Sequence, residues 1–264
     1  MRKYINTNLT DSQREFLLLL DNNEIEIFSE NNIIEQIGKE FKNLSHIVSN
    51  LNDKNFLTRI EKGKYIRSNF NNNFVIANYL SIGSAIAYWS ALNHYGLTEQ
   101  IPNTVFSQTT KPKRSKKVLN VDYKFIKVLP KKFVGITTEG WGNNKFRITN
   151  IEKTIIDCFD LPQYSGGYAE LIRAFYSAKV NKKKLLKYAI AVNNLSVMKR
   201  ISYLSELFNM SGFKNFQKET KNRLKNKYTY LSPIDEKKGR YLSRWKLCLN
   251  INEETLFSII NKEY

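Results

Sequence analysis

Residues 84–102 read SAIAYWSALNHYGLTEQIP, and this stretch decides how the fold is interpreted. Gly96 follows an apolar run at the position where helices often end with a left-handed residue, and Pro102 opens the next segment. The stretch therefore predicts a buried helix over residues 81–95 that leads directly into a strand. The apolar residues that recur at helical spacing are Ile86, Trp89, Ala91, Leu92 and Tyr95.

The whole chain of 264 residues is long enough for two domains, and its 42% hydrophobic content can supply their cores. The 2 cysteines are too few for a disulfide framework, and no signal peptide pattern begins at Met1, so we expect a cytoplasmic protein. Residues 68–98 are uncharged, but polar side chains interrupt them repeatedly. A buried helix therefore explains this region better than a membrane-spanning one, and we expect no membrane partner.

The positive charge of the chain is concentrated in one part of the sequence. Residues 1–75 contain 10 Lys+Arg and 10 Asp+Glu, whereas residues 76–264 contain 32 and 14, which accounts for the whole net charge of +18. An excess of this size favours a polyanionic partner, most often nucleic acid. A lysine-rich solvated surface without such a partner is the alternative.

Residues 1–70 are predicted to form a winged helix-turn-helix DNA-binding domain. Thr10 or Asp11 should cap the first helix, and Gly38 and Asn55 should end the second and third. The sequence EKGK at residues 61–64 is typical of a hairpin turn. The predicted order is helix, strand, helix, helix and hairpin, at residues 10–21, 25–27, 31–37, 43–55 and 56–66. The residues expected to pack the second and third helices onto the first are Ile34, Ile37, Leu44, Ile47 and Val48.

The outer face of the third helix is expected to enter the major groove, because short polar side chains reach base edges without blocking the approach. The cations of the hairpin would then contact phosphates. A winged domain that contacts only protein is the alternative. The candidate DNA-binding residues are Lys42, Asn43, Ser45, His46, Ser49, Asn50 and Lys54 at the helix, and Arg59, Lys62, Lys64 and Arg67 at the hairpin.

Residues 71–75, NNNFV, are predicted to connect the first domain to a second one at residues 76–264. The second domain divides into an α+β core at 76–165 and a basic helical extension at 166–264. The extension could contact nucleic acid or an acidic protein, with Arg244 and Trp245 as interface candidates. A lysine-rich loop too charged to pack offers possible further contacts with DNA, RNA or a partner, through Lys111, Lys113, Arg114, Lys116 and Lys117.

Three separated blocks resemble the AbiEi-type antitoxins of bacterial abortive-infection systems. They are residues 84–102, residues 148–167 (ITNIEKTIIDCFDLPQYSGG) and residues 231–252 (LSPIDEKKGRYLSRWKLCLNIN), and they occur in the expected order. The resemblance implies a type IV antitoxin for phage defence, which represses its own operon by binding double-stranded promoter DNA with inverted repeats. It also implies that the C-terminal domain counters a nucleotidyltransferase-like toxin encoded beside it.

No catalytic, metal-binding or cofactor-binding pattern is evident in the sequence. Asp157 and Asp160 are three residues apart on a predicted helix, where we expect them to be exposed, and neither His46 nor His94 has partners at metal-ligand spacing. We therefore predict a non-enzymatic protein without a cofactor or metal. The alternatives are an orphan regulator of defence or mobile-element genes without a toxin, and a nucleic-acid-processing enzyme with an unrecognised site.

Overall fold

The computed structural model describes residues 8–261, which form an α+β protein as predicted. Within the described residues, the chain divides into two compact units. The first unit contains residues 8–82 together with 138–146, and the second contains residues 83–137 together with 147–261. The first unit thus extends beyond residue 70, and a separate segment of the chain belongs to it.

The first unit consists of four helices and a three-stranded antiparallel sheet with the order β1–β3–β2. Ile27 pairs with Ile66, and Leu57 pairs with Arg67. The elements in chain order are α1 (Asp11–Asn22), β1 (Ile27–Ser29), α2 (Ile33–Ile37), α3 (Leu44–Asp53), β2 (Leu57–Glu61), β3 (Lys64–Arg67) and α4 (Asn73–Leu80).

Local sequence signals explain where these elements begin. Thr10 caps α1, and its hydroxyl accepts a hydrogen bond from the Gln13 backbone N–H while the Gln13 side chain accepts one from the Thr10 backbone N–H. Phe16 of α1 is fully buried, and its ring lies edge-on to that of Phe28 at 5.7 Å. Val48 and Leu51 of α3 complete this core.

Two predictions for the first unit were wrong. Ile34 was expected in the core but is 36% exposed, because α2 is only one and a half turns long and buries Ile33 and Ile37 instead. Residues 71–75 were expected to be a connection, but Asn72 caps α4 by accepting hydrogen bonds from the N–H groups of residues 74 and 75. The asparagine-rich sequence is therefore a helix start rather than a linker.

The second unit is built on a mixed six-stranded sheet with the order β6–β7–β5–β4–β9–β8. β5 runs parallel to β7 and β4 parallel to β9, whereas β6 is antiparallel to β7 and β4 to β5. The elements in this part of the chain are β4 (Ala85–Ile86), α5 (Tyr88–His94), β5 (Thr104–Thr109), β6 (Lys116–Val118), β7 (Val121–Lys127), β8 (Ile136–Glu139), β9 (Phe146–Thr149) and α6 (Ile151–Asp160).

The helix predicted for residues 81–95 begins only at Tyr88. Ala85 and Ile86 form a strand instead, because Ile86 pairs with Ser107 on one side and with Ile148 on the other. Pairing with two neighbouring strands therefore overrides the helical periodicity. The predicted end of the helix is confirmed, since Gly96 has a φ of 64°.

Helices cover the sheet, and a small second sheet completes the unit. The apolar core runs from Ala87 to Leu256, so residues 83–137 and 147–165 share one core with the predicted extension at 166–264 and are not a separate layer. Trp245, one of the two interface candidates, is fully buried and therefore belongs to the core. The elements are α7 (Tyr168–Ser177), α8 (Lys182–Val192), α9 (Leu195–Leu207), α10 (Lys214–Asn222), β10 (Thr229–Tyr230), β11 (Arg240–Leu242), β12 (Leu247–Leu249) and α11 (Glu253–Asn261).

Asp157 and Asp160 were predicted to be exposed, and this was wrong. Asp157 is 3% exposed and forms an ion pair with the fully buried Lys153 one turn earlier in α6. Asp160 accepts hydrogen bonds from Lys132 Nζ at 2.8 Å and from Asn194 Nδ2 at 2.7 Å. Both carboxylates therefore have structural partners, Asp157 within α6 and Asp160 in neighbouring segments of the second unit.

Within residues 8–261, no helix combines the length and the apolar character needed to cross a membrane.

Candidate nucleic-acid interface

The candidate interface in the first unit is centred on the outer face of α3. Ile47, Val48 and Leu51 point into the core, so the opposite side of the helix is available to solvent. The polar residues placed on or just before this opposite side are Lys42, Asn43, Ser45, His46, Ser49 and Asn50, and of these only Asn50 is half-buried while the others are exposed. The structure thus brings together the six residues that the sequence indicated at the start of the helix.

Hydrogen bonds order three of the polar side chains on α3. Asn50 Nδ2 lies 3.1 Å from His46 Nε2, one turn earlier. Ser45 Oγ donates to Glu30 Oε2 at 2.7 Å, which ties the start of α3 to the end of β1. These contacts restrict the side-chain rotamers before any ligand binds, and that lowers the entropic cost of recognition.

Glu30 is the residue of this site that the sequence analysis missed. Its carboxylate lies beside Tyr65 of β3, and burial together with this negative charge raises the pKa of Tyr65 above its usual value. Glu30 also places negative charge near the first turn of α3, which weakens the attraction of that turn for a phosphate. The periodicity of residues 25–30 contained no sign of this contact, because Ser45 lies 15 residues further along the chain.

The hairpin formed by β2 and β3 is attached to the C-terminal half of α3. The backbone N–H of Arg59 donates to Asn52 Oδ1 at 2.9 Å. Arg59 and Lys62 are both exposed, with Lys62 at the turn of the hairpin. The Arg59 side chain also donates from Nε to the Glu61 carbonyl at 3.4 Å, a long hydrogen bond. Two cations of the hairpin are therefore available beside α3.

Three of the predicted DNA-binding cations bind other groups of the first unit, and burial of Arg67 corrects its expected exposure. Arg67 is 3% exposed and forms an ion pair with Asp21 at 3.1 Å, because its position on β3 points into the unit. Lys64 Nζ donates to Glu61 Oε2 at 2.8 Å and to the Tyr79 carbonyl at 2.7 Å.

Lys54, the third of these cations, connects the end of α3 to the start of α1. Its Nζ donates to Gln13 Oε1 at 3.0 Å and also to the Asn8 carbonyl. A phosphate would have to compete with both oxygens for this ammonium group. Lys54 is therefore a poorer phosphate ligand than its exposed position suggests.

The lysine-rich segment of the second unit is partly a strand and not only a loop. Lys116 and Lys117 lie in β6 and pair with Tyr123 and Asp122 of β7. Lysines on an edge strand prevent the sheet from pairing with other strands, which is a structural reason for their presence. Lys111, Lys113 and Arg114 precede the strand, and Lys111 and Arg114 are exposed. The neighbouring strand β7 adds exposed Lys124 and Lys127, which the alternation VDYKFIK indicates in retrospect.

Within residues 8–261, no group of three or more His, Cys, Asp or Glu side chains is placed to hold a metal ion.

Comparison with known proteins establishes the fold alone. The structure is similar to the crystal structure of the RV2827C protein from Mycobacterium tuberculosis, with a TM-score of 0.69 over 96% of each chain. The sequence identity is 12%. No family model matches the chain, and no curated protein matches it.

Proposed function

We propose that this protein is a sequence-specific DNA-binding autorepressor, and that its first unit is a winged helix-turn-helix with α3 as the recognition helix. One observation carries the proposal. The inner face of α3 is buried in the core, while its outer face presents a continuous set of short polar side chains beside the exposed cations of a hairpin. This arrangement suits a duplex, in which base edges lie between two phosphate backbones.

The dimensions and chemistry of α3 support base readout. An α-helix with its side chains is about 10–12 Å across, and the major groove is about 12 Å wide, so α3 can lie within it. Asn50 is suited to the bidentate contact that asparagine makes with adenine, and its bond to His46 restricts its rotamer. Ser49, the residue before Asn50, is exposed and would donate to a base or a phosphate.

The hairpin of β2 and β3 would act as the wing. Arg59 and Lys62 would contact phosphates on one side of the groove, and Lys42 would contact them near the start of α3. Phosphate contacts of this kind set the affinity and the register of the protein on DNA. Base preference would therefore depend on α3, and the salt dependence on the wing.

The antitoxin part of the proposal rests on the resemblance of three sequence blocks to AbiEi-type antitoxins. Under this proposal, the DNA target is a set of inverted repeats in the promoter of the protein's own operon. The second unit counters a nucleotidyltransferase-like toxin. A gene for such a toxin beside this one, and rescue of its toxicity by co-expression of this protein, would support the assignment. Absence of rescue when DNA binding is intact would favour an orphan regulator.

Footprinting on the DNA upstream of the gene tests the DNA-binding part directly. We expect a protected site, and we expect Asn50→Ala to reduce discrimination by about 1–3 kcal/mol at one base pair. Asn69→Ala is the matched control, because Asn69 is an exposed asparagine of the same unit outside α3. Unchanged base preference in Asn50→Ala would contradict the assignment of α3.

A further inference from the structure

The second unit contains a long groove between α8 and α10. Its larger part has a volume of about 800 Å³ and is lined by residues 180–183, 186, 187 and 190, and by Gly212, Asn215 and Phe216. A second part of about 560 Å³ continues past the end of α8 towards Leu195 and Leu224. Both parts share Ile190, so the groove follows the whole length of α8.

The floor of the groove is apolar and partly accessible. Ile190 is 36% exposed and Leu186 is half-buried, whereas Val180 and Phe216 beneath them are buried. Adjacent aliphatic side chains of this kind gain free energy when a partner covers them.

The rim of the groove is strongly basic. Among the residues that line its two parts, Lys and Arg are present and no Asp or Glu occurs. Arg223 is paired with Glu219 at 2.5 Å, which leaves the lysines as the main source of positive charge. The basic lining residues are Lys182, Lys183, Lys187, Arg223 and Lys225.

The first turn of α8 adds to this positive potential. It contains Lys182, Lys183 and Lys184, and lysines at the positive end of a helix dipole are unfavourable. The cap of the helix is uncharged, since Asn181 Oδ1 accepts from the N–H groups of residues 183 and 184 at 3.1 Å each. Negative charge from a bound partner would relieve this repulsion.

We propose that this groove binds an acidic amphipathic helix of a partner protein. Aliphatic residues of the partner helix would cover Leu186 and Ile190, and its carboxylates would face the lysines of the rim. A single-stranded nucleic acid fits the groove less well, because bases bind by stacking on aromatic faces. Phe216 is 1% exposed, and the ring of Phe213 is covered by Lys182 Nζ at 5.6 Å from its centroid.

The length of α8 sets the length of the partner segment. Its 11 residues extend about 16 Å, which corresponds to a partner helix of about three turns. Apolar residues at positions i, i+4, i+7 and i+11 of that helix would form one face towards the groove. The groove belongs entirely to the second unit, so this inference is independent of DNA binding by the first.

The test uses the full-length protein and a fluorescein-labelled synthetic peptide of about 15 residues, with leucines on one helical face and glutamates elsewhere. We expect binding by fluorescence anisotropy, and a loss of about tenfold for each of Leu186→Gln and Ile190→Gln. Ile101→Gln is the matched control, because Ile101 is an 81% exposed isoleucine of the same unit outside the groove. A peptide of the same composition with its leucines distributed around the helix should bind about tenfold more weakly.

Methyl NMR locates the bound peptide without any substitution in the groove. The Ile190 methyl resonance should shift on titration with the peptide, and that of Ile101 should not. Equal binding of the two peptides would overturn the proposal, since charge alone would then explain the interaction. An unshifted Ile190 methyl would also overturn it, as would tighter, Ile190-dependent binding of a single-stranded RNA oligonucleotide.

Discussion

Removing the two exposed cations of the hairpin should lower the salt dependence of DNA affinity by a calculable amount. Each phosphate contact contributes about 0.9 to the slope of log affinity against log salt concentration. Arg59 and Lys62 are exposed, whereas Lys64 and Arg67 are held by carboxylates of the first unit. Hence Arg59→Ala/Lys62→Ala should reduce the slope by about 1.8, which would be the whole contribution of the hairpin; four phosphate contacts from the hairpin would make that whole contribution about 3.6.

The same reasoning predicts the change in affinity. When the salt concentration rises from about 50 to about 200 mM, each phosphate contact costs about 3.5-fold in affinity, so wild-type protein should lose about 12-fold more than the double variant. Fluorescence anisotropy with a labelled promoter fragment measures both slopes. Lys64→Gln is the matched control on the same hairpin, and its slope should equal that of the wild type. A slope reduced by about 0.9 in Lys64→Gln would refute the reasoning, because the ammonium would then contact phosphate despite Glu61 and Tyr79.

Two further predictions concern the stability of the second unit, measured by urea unfolding. Asp157→Ala should lower the free energy of unfolding by about 3–5 kcal/mol, because it leaves the Lys153 ammonium buried alone, and Lys153→Met/Asp157→Leu should recover most of this loss. Burial raises the pKa of Asp157 from 3.8 to about 6, so the free energy of unfolding of the wild type should decrease as pH rises from about 3.8 through about 6, where the carboxyl ionises in the unfolded chain before it ionises in the folded one. A pH dependence that persists unchanged in the double variant would contradict this assignment. Gly135→Ala should lower the free energy of unfolding by about 2–4 kcal/mol, since φ is 67° and the new Cβ would lie 2.8 Å from Lys153 Cβ. Gly96→Ala is the control: its φ is 64° but no atom lies within 4 Å of the new Cβ, so the loss should be only about 1–2 kcal/mol.

Elements with strong local signals could be predicted from the sequence. The capping box of Thr10 and Gln13 begins α1, and Asn150 caps α6 by accepting a hydrogen bond from the Lys153 backbone N–H. The strand at 121–127 also follows an alternation of apolar and polar residues over most of its length, whereas the strand at 104–109 is buried at five consecutive positions and has no such alternation. Each of these signals acts between residues that are at most four apart, so the sequence contains it directly.

Most of the polar helix face could be predicted for the same reason. Ser45, His46 and Ser49 lie on the side of α3 opposite to its apolar residues, and helical periodicity alone determines that placement. Which of the neighbouring lysine and arginine side chains are free of ion pairs, and so able to contact DNA, could not be predicted from helical periodicity. Their partners are distant in the chain, as the ion pair between Arg67 and Asp21 illustrates.

Tertiary structure alone decided the features that depend on distant pairing. Ala85 and Ile86 carry a helical pattern but form a strand, because two other strands supply their hydrogen bonds. Asp157 lies on what the sequence presents as a polar position of α6, yet packing of the second unit buries it with Lys153. Hydrophobic periodicity identifies which face of an element is apolar, whereas burial and charge pairing depend on which other elements cover it.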